Sequence, residues 1–353
     1  MIEMPDGLQF LVPTRIAPIL TTPLLSWTTK ARMALEYFRR PPAMPRPDRS
    51  VSEFVAEHYG QEAVEYLAEP LLAGVYGGTP ETLSVASVLP RFVEVESKYG
   101  SLAKGILAER RSGASPPQPI FRTLKGGLGA LIDALSQSIL PQVKIVHGEV
   151  EAMERISRGY RLRVSGDWIP ARSVVLACES HSSARLVEAL DPALAERLSG
   201  IPYNSSTVIA LGFEPNRFSK PLEGFGFLVP RRERRRLVAC TFMATKFPFR
   251  APENRILLRC FLGGNPDDDS LVPSVLDELR EMTGLTGNPS FSRVYHWPLS
   301  MAQYTVGHKD RIVAIESRIR ENPGLYLVGN AYHGIGIPDC VRMARQLAER
   351  VAN

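Results

Sequence analysis

Residues whose types and spacing suit chemistry gather near the end of the chain, in Leu325-Tyr326-Leu327-Val328-Gly329-Asn330-Ala331-Tyr332-His333-Gly334-Ile335-Gly336-Ile337-Pro338-Asp339-Cys340. The opening apolar run is too short for a helix and reads as a buried strand that breaks at Gly329-Asn330. Glycines at 329, 334 and 336 give the backbone conformations closed to other residues and let a planar ligand approach the main chain. Pro338 suits a first helical turn, and Val341, Ala344, Leu347, Ala348 and Val351 share one face at helical spacing. The stretch is predicted as strand, glycine loop, helix. Unpaired N–H groups and partial positive charge at the helix start favour a ligand that is, or becomes, anionic. On this pattern alone, a tight strand-helix turn without a ligand is an equal alternative.

The rest of the chain offers little side-chain catalysis. There is no Ser/His/Asp set, no paired carboxylates and no activated cysteine, so no catalytic residue is assigned. Cys178, Cys240, Cys260 and Cys340 are scattered, without C-x-x-C or histidine at ligand spacing, which predicts neither a metal site nor a disulfide framework and fits a reducing compartment. No apolar run reaches the roughly 18 residues a membrane span needs, and Glu3 and Asp6 replace the basic start of a signal peptide. At 353 residues the chain can hold two domains, with room for an insertion. A net charge of +5 mildly favours acidic partners.

These residues must be placed by the elements before them. Gly7–Thr14 reads as a strand, and residues 26 to about 115 as helices. Ser50-x-x-Glu53 is a capping box, Gly60 stops that helix, and Ala63, Val64, Leu67 and Leu71 form the face of the next. Ser112–Pro119 is a linker, and a helix runs from Leu124 to about Leu140. Four short strands follow, Val143–His147, Glu149–Ile156, Tyr160–Val164 and Val174–Ala177, with a turn at Arg158-Gly159. Asn204–Phe213 and Arg255–Leu262 are strands, and Ser274–Thr283 is a helix. Gly224-Phe225-Gly226-Phe227-Leu228-Val229-Pro230 reads as a bulged strand or as a slot for a flat molecule. The run Arg231–Arg236 is a solvated loop or a magnet for carboxylates.

The C-terminal stretch closely resembles the flavin-binding segment of protoporphyrinogen oxidases. Three further segments resemble that family: Glu69–Gly78, Gly224–Pro230, and His296-Trp297-Pro298-Leu299-Ser300-Met301-Ala302-Gln303-Tyr304-Thr305-Val306-Gly307-His308. In the last, Ser300 and Ala302 stand where the family tends to have Ala and Pro, a departure expected to loosen a turn.

The resemblance implies a mixed α/β flavoprotein of the amine oxidase type. Its expected parts are a strand and crossover (1–25), an inserted helical, membrane-facing subdomain (26–118), part of the FAD domain (119–185), a sheet-rich substrate domain (186–305) and the C-terminal FAD part (306–353). FAD would meet Gly329, Asn330, Gly334, Ile335, Gly336, Ile337 and Trp297, with Val150 at the adenine. The substrate would meet Gly77, Phe225, Gly226 and Leu228. His333 is expected to make a local hydrogen bond and Cys340 to pack. Leu24, Leu25, Trp27 and the Arg39-Arg40 pair are candidates for an interfacial surface.

The implied reaction is the six-electron oxidation of a porphyrinogen, protoporphyrinogen IX or coproporphyrinogen III, by molecular oxygen in haem biosynthesis. The setting is cytoplasmic, with peripheral membrane contact, and with a second copy or the next haem-pathway enzyme as partner; nucleic acid is not expected. The family's first βαβ unit, with its G-x-G-x-x-G turn for the cofactor pyrophosphate, is missing from these 353 residues. Gly126-Gly127-x-Gly129 lacks the spacing. This keeps open a truncated, non-catalytic remnant, and a related amine oxidase or desaturase with another substrate is the other alternative.

Overall fold

The computed structural model describes residues 1–9, 11–111, 122–266 and 268–352. The chain begins with a hairpin of β1 (Leu8–Gln9) and β2 (Val12–Pro13), where one strand over Gly7–Thr14 was expected. The Thr14 amide and hydroxyl both donate to the Gly7 carbonyl, at 2.7 and 2.6 Å, and fold the segment back on itself.

The helical stretch is α1 (Ile16–Thr21), α2 (Trp27–Glu36), α3 (Val51–Tyr59), α4 (Gln61–Ala63), a π turn at Val64–Ala68, α5 (Glu69–Tyr76), α6 (Val85–Val88), α7 (Pro90–Tyr99) and α8 (Leu102–Arg111). The capping box forms: Ser50 Oγ accepts from the Glu53 amide at 3.1 Å, and Glu53 Oε2 accepts from the Ser50 amide at 2.9 Å. The linker predicted at Ser112–Pro119 lies outside the described residues.

After α9 (Gly129–Ile139), the strand expected at Val143–His147 does not form. Among the described residues no strand pairs with it, and Val143, Ile145 and Val146 stay exposed. An alternating sequence becomes a strand only when a partner supplies its hydrogen bonds. Next come β3 (Val150–Ile156), β4 (Gly159–Val164), β5 (Asp167–Ala171) and β6 (Val174–Leu176). The unforeseen β5 carries Pro170, which an edge strand tolerates. The remainder is α10 (Ser180–Val187), α11 (Pro192–Ser199), β7 (Tyr203–Phe213), β8 (Gly226–Leu228), β9 (Leu237–Phe242), α12 (Met243–Lys246), β10 (Ile256–Gly263), α13 (Leu271–Thr283), β11 (Phe291–Ala302), α14 (His308–Arg320), β12 (Leu325–Leu327) and α15 (Ile337–Ala352).

Two units divide these elements: 1–137 with 204–301, and 138–203 with 302–353. The first contains the five-stranded sheet β11-β7-β10-β9-β8. Alternation along β10 sends Leu258, Cys260 and Leu262 inward and Arg259 outward, the period a half-buried strand requires. These side chains pack with Ile209, Leu211 and Phe213 of β7 and with Val275, Leu276 and Leu279 of α13. In the helical part of this unit, Glu36 accepts from the amide of Leu102 at 2.6 Å and the hydroxyl of Ser101 at 2.9 Å. The buried His58 lies between carboxylates, its Nδ1 2.9 Å from Glu36 and its Nε2 3.2 Å from Glu96.

The second unit has the antiparallel sheet β3-β4-β5 and the parallel pair β12-β6. Asp191 caps α11 through the Leu194 amide at 3.0 Å and accepts from Arg318 Nε at 2.8 Å and Asn322 Nδ2 at 2.9 Å, tying α11 to α14. Burial works against the Asp191 carboxylate, and these donors still hold its pKa below the usual value.

Candidate functional site

In the second unit, β6 and β12 run parallel in register from Val174 with Leu325 to Leu176 with Leu327. The Val328 amide continues the ladder to the Leu176 carbonyl at 3.1 Å. Beyond the carboxyl ends of both strands lie Ala177-Cys178 and the loop from Gly329, which is where open parallel sheets receive ligands. The predicted strand, loop and helix are all present, β12 leading through 328–336 into α15.

The three loop glycines are not equivalent. Gly329 (φ +142) and Gly334 (φ +135) occupy the left-handed side, whereas Gly336 does not. A Cβ on Gly329 would meet nothing nearer than the Ala177 carbonyl at 3.8 Å, so its backbone conformation alone calls for glycine and the space before it is open. A Cβ on Gly334 would fall 2.5 Å from Asp339 Cγ. Asn330, Gly334, Ile335 and Gly336 are half-buried and Ile337 is exposed.

Two residues overlooked in the sequence hold this loop. Tyr304, whose ring is buried, donates its hydroxyl to the Asn330 carbonyl at 2.8 Å and accepts from the Gly334 amide at 2.8 Å. His308 stacks on that ring at 3.9 Å with 13° between planes, and its Nε2 lies 3.1 Å from the Tyr332 carbonyl. The signal in the sequence is the Tyr304/His308 spacing, which lies in the same motif as Trp297.

His333 does hydrogen bond, its Nε2 2.7 Å from Glu316 Oε1 on α14. Asp339 accepts from the Gly336 amide at 3.3 Å and pairs with Arg342 at 2.7 Å. Burial, with the Asp339 carboxylate nearby, raises the Cys340 thiol, which is opposite to what a reactive cysteine needs. Burial likewise pushes up the Tyr332 phenol. Val150 starts β3 opposite Val164, beside a register shift between Val150 and Ala152. Such a bulge leaves backbone outside the ladder.

A cavity of about 330 Å³ in this unit is lined by Ile312, Ile315, Ile319, Leu327, Met343 and Leu347 among others, and none of the predicted cofactor residues lines it.

The first unit holds the other predicted residues. Gly226, at φ +139, brings its α-carbon so close to β9 that a Cβ would lie 2.1 Å from the Cys240 carbonyl. Phe225 is 65% exposed, and its carbonyl accepts from the Phe242 amide at 3.0 Å. Gly77 ends α5, its carbonyl accepts from Asn204 Nδ2 at 2.6 Å, and a Cβ there would meet Met301 Sδ at 2.8 Å. A Cβ on Gly74, one turn earlier on α5, would touch Leu228 at 3.7 Å. Helix α5 thus spans from the Leu228 strand to the end of β11, and it brings Gly77, Leu228 and Met301 into one neighbourhood.

The buried Glu69 anchors the start of α5, accepting from the Arg231 amide at 3.0 Å and Arg234 Nη2 at 2.8 Å. Of the arginine run, Arg235 pairs with Glu281 and Arg236 with Asp268, both at 2.9 Å. Arg231, Arg232 and Arg235 are exposed, and of these Arg231 and Arg232 have carboxylates only at 3.8 and 3.9 Å. Trp297 is 52% exposed on β11. Ser300 and Ala302, where a loosened turn was expected, lie within β11, where the Ser300 hydroxyl donates to the Trp297 carbonyl at 3.1 Å and Ser205 Oγ accepts from the Leu299 amide at 2.9 Å.

For the interfacial candidates, Trp27 is exposed and Leu25 is buried, so Leu25 belongs to the core. Among the described residues no helix is long and apolar enough to cross a membrane, and no cluster of His, Cys, Asp or Glu suits a metal ion.

Residues 3–352 match the family described as flavin containing amine oxidoreductase. The coproporphyrinogen III oxidase of Bacillus subtilis (strain 168) is 33% identical over 96% of this chain and 74% of its own length. That of Staphylococcus aureus (strain NCTC 8325 / PS 47) is 30% identical over 99% of this chain and 78% of its own. A crystal structure from Exiguobacterium sp. 255-15, of a protein named as a candidate protoporphyrinogen oxidase, superposes with a TM-score of 0.84 at 30% identity, over 98% of this chain and 77% of that one.

Proposed function

The chain belongs to the flavin-containing amine oxidoreductase family, and we propose that it is an FAD-dependent oxidase of a porphyrinogen in haem biosynthesis, with coproporphyrinogen III as the first substrate to try. The observation that carries this reading is the loop from Gly329 to Gly336, open toward a ligand and leading into the positive end of α15. Relatives 30–33% identical are named coproporphyrinogen III oxidases, and the tobacco protoporphyrinogen oxidase is 27% identical, which supports that order of substrates.

The residues suit the cofactor. Gly329 leaves room, the left-handed glycines keep side chains off the approach, and amides at the start of α15 favour negative charge. Gly329, Asn330, Gly334, Ile335, Gly336, Ile337 and Trp297 are proposed to hold the flavin, and Val150 the adenine side. Bound FAD would supply the two-electron oxidations, three per macrocycle, with oxygen as acceptor. The protein's part is position and exclusion of water. Phe225 and Leu228 offer apolar walls, Gly226 and Gly77 close backbone approach, and the exposed Arg231 and Arg232 attract the substrate's carboxylates.

We further propose peripheral contact with an anionic membrane. Ile16, Trp27, Leu35 and Phe38 are 69–78% exposed beside the exposed Arg15, Arg32 and Arg40. The only acidic residue between positions 7 and 47 is Glu36, which is buried. Such a mixture suits an interface.

Turnover of both porphyrinogens, followed by porphyrin fluorescence in the presence of FAD, tests the reaction. Fluorescence rising faster with coproporphyrinogen III is expected, and none with either substrate counts against it.

A further inference from the structure

We propose that Tyr304 is a positioning residue for the cofactor, with its hydroxyl setting the loop that presents the start of α15 to the flavin. This inference rests on the flavin reading above. The hydroxyl bonds to both ends of the segment 330–334, donating to the Asn330 carbonyl and accepting from the Gly334 amide, each at 2.8 Å. One oxygen therefore closes the mouth of the loop and holds Gly334 in its left-handed conformation (φ +135), against Asp339 in the first turn of α15.

The ring behind that oxygen is itself fixed. It is 3% exposed and stacks at 3.9 Å on His308, whose Nε2 lies 3.1 Å from the Tyr332 carbonyl. Tyr304 and His308 thus engage the carbonyls of residues 330 and 332. A backbone carbonyl turned toward a flavin would oppose the negative charge gained on reduction, whereas amides at a helix start favour it. By holding two carbonyls against protein donors, the pair makes the loop's outward field more positive than its sequence requires.

Tyr304→Phe keeps the stacked ring and removes the bridge. FAD titrations and dye-equilibrated reduction potentials of wild type and variant, with far-UV circular dichroism as a folding control, make the test. The expected result is about tenfold weaker binding of FAD and a further tenfold loss of preference for the reduced flavin, about 30 mV for a two-electron couple. The second number separates positioning from packing, because a merely loosened fold weakens both redox forms alike. Equal affinity and potential in wild type and variant would overturn the inference while leaving the flavin reading intact, and so would weaker binding at an unchanged potential. If Tyr304→Phe fails to fold, His308→Phe carries the same test, with the potential again expected to fall. A wild-type protein that takes up no FAD would sink the flavin reading and this one with it.

Discussion

The antiparallel sheet of the first unit and the parallel pair of the second solve the same problem unequally. Strands β7, β10 and β9 bury their inward residues on one another and on α13, with Leu211, Leu237, Leu258, Cys260 and Leu279 almost wholly removed from water. Strands β6 and β12 have three residues each, and Val175 between two buried neighbours is 45% exposed. An antiparallel sheet gains neighbours through short connections and is complete with one covered face. Parallel strands need long crossovers and cover on both faces. The first unit thus gathers its strands on one shared apolar core, while in the second unit polar ties such as Asp191–Arg318 and Tyr304–Gly334 reinforce a smaller sheet.

The largest effect should fall on the self-contained sheet. Leu258→Ala, at a position with no solvent exposure, is expected to cost about 2–5 kcal/mol. In denaturant titration the midpoint should drop, and hydrogen exchange should quicken in β7, β9 and β10 while β6 and β12 stay unchanged. Uniform quickening throughout would break the contrast drawn between the units.

Next in size is a change in the glycine loop before α15. Gly334→Ala should cost about 1–3 kcal/mol, since alanine must take a conformation it avoids and its Cβ would press on Asp339. Gly336→Ala should stay within about 0.5 kcal/mol, since Gly336 has no left-handed φ and its Cβ would meet the end of the Asp339 side chain at 3.1 Å and Pro338 Cδ at an ordinary 3.6 Å. Thermal melts of the two variants would show the gap, and equal losses would mean that the loop is not held as described.

Acid should produce a graded loss in both units. Burial alone would raise the Glu96 pKa, but hydrogen bonds from His58 and Arg49 bring it down to about 2. A carboxylate lowered on folding lends stability that is complete above its unfolded value, about 4.3, and that fades as pH falls toward about 2. Asp191 carries the same sign in the second unit. Unfolding midpoints measured from pH 6 to pH 2 should fall below about pH 4.3, and Glu96→Gln should flatten that slope. The smallest effect belongs to Val175→Thr on the open parallel pair, within about 0.5 kcal/mol by the same melts.

Much of this could be read from the residues. The strand, loop and helix at the C-terminus, the capping box at Ser50 and the alternation along β10 are written in local spacing, where turn chemistry and periodicity act over a few positions. Pairing is not local. Nothing in Val143-Lys144-Ile145-Val146 tells whether a neighbour will accept its hydrogen bonds, and β5 was hidden by a proline that only an edge strand tolerates. The clamp by Tyr304 and His308 was missed for the same reason, because a bridge from residue 304 to residues 330 and 334 depends on how α14 folds back. The glycines of the loop looked interchangeable in sequence, and only the backbone angles single out Gly329 and Gly334.

On the proposed reading, this glycine loop in front of α15 holds a flavin. Its most direct test is to load purified wild type and Gly334→Val with FAD, desalt both, and record visible absorption. Wild type should leave the column yellow, with the flavin bands shifted from those of free FAD, and the variant should leave it colourless. A colourless wild type, or a variant as yellow as wild type, would mean that the loop does not hold the flavin.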